Sequence, residues 1–280
     1  MGRAQIVAGL SLLLAGCGST GRIVVGSKNF TERVILGEIV AQQLERAGMK
    51  VDRKLNLGGT LLAHQALVSG QIDLYPEYTG TALTAMLKLP VSRDAAEVEN
   101  RVRQEYRARW KIEWLPSLGF NNTFAMVIDN GFETLSQAAG RKQGWKLGVG
   151  YEFLTRPDGL PGLLETYHLP LAGTPLSMDL GLLYQALKQK RVDMVAGNAT
   201  DGLIAAMGLT ALRDDKSYFP PYEAALAVRG AALKSRPALR AALDGLSGKI
   251  STVAMRKMNY QVDGQHHAVR DVARDFLDGK

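Results

Sequence analysis

The feature that most constrains the fold of this chain is an order of elements that occurs twice. The first half reads as strand, helix, strand, helix, strand, and strand and helix patterns alternate again in the second half. The predicted strands cover residues 22–26, 51–57, 72–75, 145–149 and 192–195. Short apolar strands that alternate with amphipathic helices favour a mainly parallel sheet covered by helices. We therefore predict an α/β fold.

The two halves align with an offset of 120 positions. Ile72-Asp73-Leu74 corresponds to Val192-Asp193-Met194, and Ala66-Leu67 corresponds to Ala186-Leu187. A single match of this kind has little weight because it can arise by chance, but the shared order of elements around it favours two similar lobes. Ligands of open α/β sheets bind beyond the carboxyl ends of the strands, so facing lobes predict a ligand cleft between them. The loops expected to line this cleft are residues 27–31, 75–81, 151–156 and 198–201.

The composition excludes several classes of protein. The chain has 280 residues, of which 46% are apolar, so it can bury a core and is not disordered. Its single cysteine excludes an internal disulfide and a thiolate metal cluster. The net charge is +7, but the 34 basic residues are interspersed with 27 acidic ones, without a basic run. We interpret this as a solvated surface and expect no nucleic-acid partner.

The first residues predict export and a lipid anchor. Residues 6–15 form an apolar segment of about ten residues, which matches a signal-peptide core and is far shorter than the roughly 20 residues of a membrane span. The segment ends in Leu14-Ala15-Gly16-Cys17, the pattern that bacterial lipoprotein processing recognises. We predict a signal peptide at 1–16, lipidation of Cys17, and a linker at 17–21. The alternative is an ordinary signal peptide with an incidental cysteine.

Two cations occupy corresponding loops of the predicted lobes. Lys28 follows the first strand, and Arg156 follows the strand at 145–149. A cation beside the amides of a helix N-terminus is suited to bind a carboxylate. Spacing alone leaves open a pair of ordinary surface cations.

Two short segments combine aromatic rings with proline. They are Tyr75-Pro76-Glu77-Tyr78-Thr79-Gly80-Thr81 and Phe219-Pro220-Pro221-Tyr222. Rings that converge on a cleft attract a quaternary ammonium group through cation–π interactions of about 0.5–2 kcal/mol each. The alternative is that these tyrosines only pack in the core.

The sequence carries no signature of an enzyme. The common phosphate-binding, dinucleotide-binding, serine-hydrolase and zinc-protease motifs are absent from the 280 residues. His64 lies in a helix among apolar residues, where a histidine more often packs than acts as a base, and His266-His267 lies in a polar stretch. We therefore expect neither catalysis nor a cofactor nor a metal site.

Several longer motifs resemble one family. From Arg22 to the C-terminus, the chain is similar to the glycine betaine/choline substrate-binding proteins of bacterial osmoprotectant ABC importers. The segments that carry this resemblance are 25–32, 56–60, 72–81, 119–123, 156–159, 200–202 and 214–222.

The resemblance implies a two-lobed type II periplasmic-binding-protein fold with the ligand cleft between its lobes. Lobe 1 would comprise residues 22–122 and 221–280, and lobe 2 would comprise residues 123–220. By motif matching, the ligand carboxylate would be held by Lys28, Thr81 and Arg156. The aromatic cage around the trimethylammonium group would use Tyr78, Phe124 and Tyr222.

Two positions depart from the pattern of the family. Phe124 stands where relatives often carry tyrosine, and Asn198 stands where cage-forming relatives carry tyrosine. One wall of the cage is then absent. This predicts weaker binding of betaine, and it admits a larger or differently polar ligand that bonds to the Asn198 amide.

We therefore expect an extracytoplasmic solute-binding lipoprotein, anchored in the membrane and located in the periplasm or at the cell surface. As a monomer, it would deliver a quaternary amine such as glycine betaine or choline to an ABC permease and its ATPase. Three alternatives remain: a different small zwitterion or amine, such as ergothioneine or an amino acid; an enzyme on the same scaffold; and a sensor for a membrane partner.

Overall fold

The computed structural model describes residues 21–280. The predicted signal peptide, the predicted lipidation site at Cys17 and all but the last residue of the predicted linker lie outside the described residues. The strands are β1 (Ile23–Gly26), β2 (Val51–Lys54), β3 (Leu74–Tyr78), β4 (Ile112–Trp114), β5 (Phe124–Ile128), β6 (Leu147–Val149), β7 (Leu176–Ser177), β8 (Met194–Asn198), β9 (Thr210–Ala211) and β10 (Ala224–Arg229).

The strands form two sheets with the same order of neighbours. The first sheet has the order β2-β1-β3-β10-β4, and the second has the order β7-β6-β8-β5-β9. In each sheet, the first three strands are parallel and the fourth is antiparallel to the third. The predicted pair of similar α/β lobes is confirmed.

The helices lie around these sheets. They are α1 (Thr31–Arg46), α2 (Thr60–Val68), α3 (Thr79–Thr81), α4 (Ala95–Trp110), α5 (Leu135–Ala139), α6 (Leu160–Tyr167), α7 (Leu183–Lys188), α8 (Gly202–Ala206), α9 (Gly230–Ser235), α10 (Pro237–Asp244), α11 (Thr252–Asp263) and α12 (Val269–Leu277). A π-helical turn at Ala82–Met86 extends α3, and 3₁₀ turns occupy Tyr151–Leu154 and Leu180–Leu182. None of the helices in this described part is long and apolar enough to cross a bilayer.

The internal repeat extends to individual hydrogen bonds. Asp73 precedes β3, and its carboxylate accepts a hydrogen bond of 2.9 Å from the amide of Val24. Asp193 precedes β8 and accepts a bond of 3.3 Å from the amide of Lys146 in the same way. Each aspartate therefore ties the start of the central strand to its neighbour, which explains why Ile-Asp-Leu and Val-Asp-Met occupy equivalent positions in the two halves.

The chain crosses between the lobes twice. It leaves the first sheet after Trp114 and enters the second at Phe124, then returns between Ala211 and Ala224. The two crossing segments lie side by side and are joined by an antiparallel bridge between Asn121 and Glu223. The predicted boundaries at 122/123 and 220/221 fall within these crossings, and the division of the chain at those residues stays a prediction.

The C-terminal helices connect the two lobes on the face beside the crossings. α12 packs on α1 of lobe 1, while α11 packs on both α1 and α8 of lobe 2. The approach of α11 to α8 is close because Gly202 has no side chain: a Cβ there would lie 2.4 Å from the backbone nitrogen of Tyr260. One apolar core accordingly includes buried residues of both lobes.

Some element boundaries differ from those predicted. The strand predicted at 51–57 ends at Lys54, because the chain turns at Asn56 and Gly58, whose φ angles are 64° and 107°. The helix predicted at 179–190 begins as a 3₁₀ turn and becomes α-helical only at Leu183–Lys188. Left-handed backbone and short 3₁₀ turns leave little trace in hydrophobic periodicity.

Candidate functional site

The predicted site residues lie at one edge of each sheet. Tyr78 ends β3 and Asn198 ends β8, and the parallel neighbours of these strands end at the same edges. Because β10 and β5 run antiparallel to them, Tyr222 just before β10 and Phe124 at the start of β5 lie at those edges too. The carboxyl edges of the two sheets therefore carry the residues predicted for the site, as expected for open α/β sheets.

Lys28 is buried in the loop between β1 and α1, where it is already paired. Its ammonium group donates hydrogen bonds of 3.0 Å to Glu77 Oε1 and of 3.0 Å to Thr60 Oγ1. Burial lowers the pKa of Lys28 to about 8, against the opposing attraction of Glu77. Charged Lys28 therefore depends on Glu77, and Thr60 connects it to the start of α2.

Arg33 shares the carboxylate of Glu77 and covers one face of Tyr78. Its guanidinium nitrogen Nη2 lies 2.8 Å from Glu77 Oε1, and all of these side chains are buried. Arg33 Cζ lies 3.3 Å from the centroid of the Tyr78 ring. The ring that we predicted for the cage thus already has a cation on one face.

Burial opposes the charge of Glu77, but Lys28 and Arg33 hold its pKa below the usual range.

Glu32 is a buried carboxylate at the centre of a polar network behind Tyr78. Burial raises the pKa of Glu32 to about 7, although hydrogen bonds from Thr200 and Asn259 oppose this shift. Its carboxylate accepts hydrogen bonds from Tyr78, Asn122, Thr200 and Asn259. These donors belong to lobe 1, a crossing segment, lobe 2 and α11, so this single carboxylate joins the elements that meet beside the two crossings.

Arg156 lies in a second cluster of buried side chains, apart from that of Lys28 and Tyr78, and it is paired there with Asp158. Nε and Nη2 of Arg156 donate to the two oxygens of Asp158 over 2.8 and 2.5 Å. Burial opposes the charge of Arg156, but the hydrogen bonds with Asp158 outweigh it and raise the pKa of this arginine. Asp158 also accepts from the hydroxyls of Thr84 over 2.8 Å and Tyr222 over 2.5 Å.

Three other predicted residues surround Arg156. Its nitrogens lie 3.4 Å from Thr81 Oγ1 and 3.4 Å from the Tyr222 hydroxyl. Its Cζ lies 5.2 Å from the centroid of the Phe124 ring, and the rings of Phe124 and Tyr222 have centroids 5.5 Å apart. The structure thus brings Thr81, Phe124, Arg156 and Tyr222 together, and it places Lys28 with Tyr78 in a separate cluster, with the ammonium 5.9 Å from the ring centroid.

Glu152 connects the two clusters across the lobes. It lies in the 3₁₀ turn of lobe 2, and its oxygens accept from the Thr60 amide over 2.8 Å and from the Thr60 hydroxyl over 2.9 Å. One of these oxygens also lies 3.8 Å from Arg156 Nη1. Contacts between Thr60 and Glu152, and between Thr81 and Arg156, join lobe 1 to lobe 2 and define a closed arrangement.

Asn198 lies opposite Phe124 in the antiparallel pair of β5 and β8. Its side-chain amide is 3.5 Å from Asp201 Oδ2, which also accepts from the Asn198 backbone amide over 2.8 Å and from the Tyr184 hydroxyl over 2.5 Å. Burial raises the pKa of Asp201 to about 6. The register thus places Asn198 beside the predicted cage, and its amide is weakly held by a neighbouring acid.

An open cleft of about 720 Å³ adjoins these clusters. It lies between α2, the π-helical turn and Trp110 on one side and the loop of Glu152, Thr155 and Arg156 on the other. Arg156 is the one predicted site residue that lines it. His64 lines it as well, packed edge-to-face against Trp110 with centroids 4.4 Å apart, and burial lowers its pKa.

Sequence reasoning gave no role to the carboxylates of this site. Glu77 and Asp158 fall inside the motifs 72–81 and 156–159, and Glu152 falls in a predicted cleft loop. A signal was available, since a buried lysine or arginine requires a carboxylate partner. Within residues 21–280, no group of three or more His, Cys, Asp or Glu side chains is arranged to hold a metal ion.

The sequence of this chain is similar to those of known binding proteins. A 33% identical relative is the ergothioneine transport permease/ergothioneine binding protein EgtU of Helicobacter pylori strain G27; the match covers 91% of this chain and 47% of the relative, so the chain spans about half of that protein. The glycine-betaine-binding protein of Pseudomonas aeruginosa strain PAO1 is 34% identical, over 98% of this chain and 93% of the relative.

A solved structure of a glycine betaine/carnitine/choline ABC transporter protein is 31% identical and superposes with a TM-score of 0.76, over 92% of this chain and 98% of the other. The family described as the substrate binding domain of the ABC-type glycine betaine transport system matches residues 21–279. The match extends over both lobes and both crossings, and the chain therefore belongs to the family of substrate-binding domains of ABC-type glycine betaine transport systems.

Proposed function

We propose that this protein captures a small quaternary-ammonium compound, such as glycine betaine or choline, and delivers it to an ABC permease and its ATPase. The observation that carries the proposal is that cations already lie against the aromatic rings expected to form the cage. Arg156 Cζ is 5.2 Å from the Phe124 centroid, and Arg33 Cζ is 3.3 Å from the Tyr78 centroid. These ring faces are electrostatically suited to a cation.

A trimethylammonium group has no hydrogen to donate, so aromatic faces are its best partners in a desolvated site. Each face contributes about 0.5–2 kcal/mol. Phe124 packs against Phe153, Phe219 and Tyr222, with centroids 4.9, 5.9 and 5.5 Å away. These neighbours hold the Phe124 ring in one orientation, which lowers the entropy that the protein loses when a ligand binds.

We propose further that Lys28, Arg156 and Thr81 bind the carboxylate of a zwitterionic ligand. Arg156 and Thr81 come from different lobes and are 3.4 Å apart, so a ligand carboxylate that contacts both of them would favour closure. Closure selected by the ligand is the state that we expect the permease to recognise, with the chain acting as a monomer.

The proposal assigns no chemical step to the protein. In the described part of the chain, His64 is buried, and its ring nitrogen approaches the Tyr106 hydroxyl at 3.5 Å rather than a nucleophile. Recovery of unchanged ligand after prolonged incubation with purified protein would support binding alone. Conversion of the ligand would favour an enzyme on this scaffold.

We also propose that the protein works outside the cytoplasm and is held to the membrane by lipid on Cys17. The basis is the Leu14-Ala15-Gly16-Cys17 pattern. Cys17→Ser should release the protein from the membrane fraction or leave an uncleaved precursor. Normal processing and membrane retention in this variant would contradict the anchor.

The direct test is calorimetric titration of the mature protein with glycine betaine, choline, carnitine, proline betaine, ergothioneine and single amino acids. We expect saturable binding of at least one trimethylammonium compound and none of an amino acid with a primary amine. Binding of a primary amino acid alone would overturn the proposed ligand class.

A second candidate ligand is ergothioneine, which also carries a trimethylammonium group. Two observations favour it. Asn198 offers an amide where a ring is expected, and a relative that is 33% identical has ergothioneine in its name. In the same titration series, clearly tighter binding of ergothioneine than of glycine betaine would select this candidate.

A further inference from the structure

We propose that Glu152 determines the charge type of ligand that the site accepts. Its carboxylate occupies the place at the N-terminus of α2 where the carboxylate of a ligand would otherwise bind. A cation without a carboxylate then binds beside it, and a ligand with a carboxylate must displace it. This inference rests on the proposed function, because it concerns the same site.

The position of Glu152 is that of a bound anion. Both of its oxygens accept hydrogen bonds from Thr60, the first residue of α2. Free amides and the positive end of the helix dipole make such a position attractive to a carboxylate. The preceding residue is Gly59, and a Cβ there would lie 2.7 Å from Glu152 Oε1. The absence of a side chain at Gly59 therefore creates the space that the carboxylate occupies.

The same position lies between the two cations expected to hold a ligand carboxylate. Lys28 donates to the Thr60 hydroxyl over 3.0 Å, and that hydroxyl donates to Glu152 over 2.9 Å. From the other lobe, Arg156 Nη1 lies 3.8 Å from Glu152 Oε2. A ligand carboxylate placed between Lys28 and Arg156 would meet Glu152, and two carboxylates at one site repel each other.

Without a ligand, the three cations of the two clusters already have carboxylate partners. Lys28 and Arg33 share Glu77, Arg156 is paired with Asp158, and Glu152 supplies a third carboxylate for the three cations. Exchange of Glu152 for a ligand carboxylate preserves this balance. Addition of a ligand carboxylate with Glu152 in place does not.

Glu152 is partly exposed to solvent, unlike the cations beside it. Its side chain is 46% exposed and lines the cleft of about 720 Å³, so it can turn into water when a ligand enters. The cations beside it are buried: the side chains of Lys28 and Arg156 are 6% and 8% exposed. The most exposed charged group of this cluster is therefore the Glu152 carboxylate.

The test compares two ligands that share a trimethylammonium group. Choline ends in a hydroxyl, and glycine betaine ends in a carboxylate. In Glu152→Gln, we expect the dissociation constant of betaine to fall by about threefold or more, and that of choline to rise by about threefold or more. Changes of this size correspond to the free energy that a carboxylate contributes at a helix N-terminus. Glu165→Gln is the matched control, because Glu165 is an exposed glutamate of the same lobe. It should change neither constant.

An unchanged betaine-to-choline ratio in Glu152→Gln would overturn the inference. Equal weakening of both ligands would overturn it as well, because Glu152 would then only support closure. If the wild-type protein binds no trimethylammonium compound, the proposed function itself fails, whereas an unchanged ratio overturns only the inference about Glu152.

Discussion

Arg156 and Asp158 provide the sharpest test of how this site is held together. Asp158 is fully buried, and Arg156 is 7% exposed. Arg156→Ala leaves the Asp158 carboxylate without its cation, and removal of one partner of a buried pair costs about 3–5 kcal/mol. The hydroxyls of Thr84 and Tyr222 still donate hydrogen bonds to Asp158, over 2.8 and 2.5 Å, so we expect the loss of unfolding free energy to lie near the lower end of this range.

This loss is large against a total stability of about 5–15 kcal/mol. At roughly 2–4 °C per kcal/mol for a chain of this size, the melting temperature should fall by about 6–12 °C. Circular dichroism during urea and thermal unfolding measures both quantities. Arg101→Ala is the control, because Arg101 is half-exposed and 3.8 Å from Glu105; loss of this surface pair should cost less than about 0.5 kcal/mol.

The double variant Arg156→Ala/Asp158→Asn separates charge from packing. Asparagine keeps the shape of aspartate and removes the unpaired charge, so the double variant should be more stable than Arg156→Ala by about 1–2 kcal/mol. The reasoning is refuted if Arg156→Ala unfolds with the free energy of the wild type, or if the second substitution destabilises the protein further. Binding measured for Arg156→Ala is meaningful only at temperatures where the variant is folded.

Three further predictions concern ligand binding and pH. Since burial lowers the pKa of Lys28 to about 8, betaine affinity should fall between about pH 7 and 9 while choline affinity does not; a parallel decline of both in calorimetry would contradict the carboxylate role of Lys28. Asn198→Tyr should tighten betaine binding by a factor of a few to about thirty, and equal or weaker binding would place residue 198 outside the cage. The pKa of Glu32 is about 7 in the folded protein against 4.5 without perturbation, so the unfolded chain loses this proton first. This pKa difference contributes on the order of 3 kcal/mol to the free energy of unfolding; the contribution is fully present below pH 4.5 and is lost as the pH rises through 7. Glu32→Gln should therefore flatten the dependence of stability on pH in that window. An unaltered pH dependence would contradict the raised pKa of Glu32.

The position of some candidate site residues could be predicted from the sequence. Lys28 and Arg156 follow strands in equivalent loops, and the carboxyl edge of a parallel sheet is a local consequence of strand direction. The structure brings Thr81, Phe124, Arg156 and Tyr222 together, and their role in ligand binding stays a prediction. The carboxylates were missed because a hydrophobic pattern reports which residues face a core and not which charge meets another across it.

The sequence by itself determined the two-lobed α/β architecture. Hydrophobic periodicity and the offset of 120 positions depend on residues that are neighbours along the chain, and both sheets have the same order of strands. The tertiary structure alone decided the pairing of charges. Glu77 lies 49 positions from Lys28, and Glu152 lies 92 positions from Thr60 and in the other lobe. Such partners are selected by the cost of burying an unpaired charge, which exists only once the chain has folded and the lobes have met.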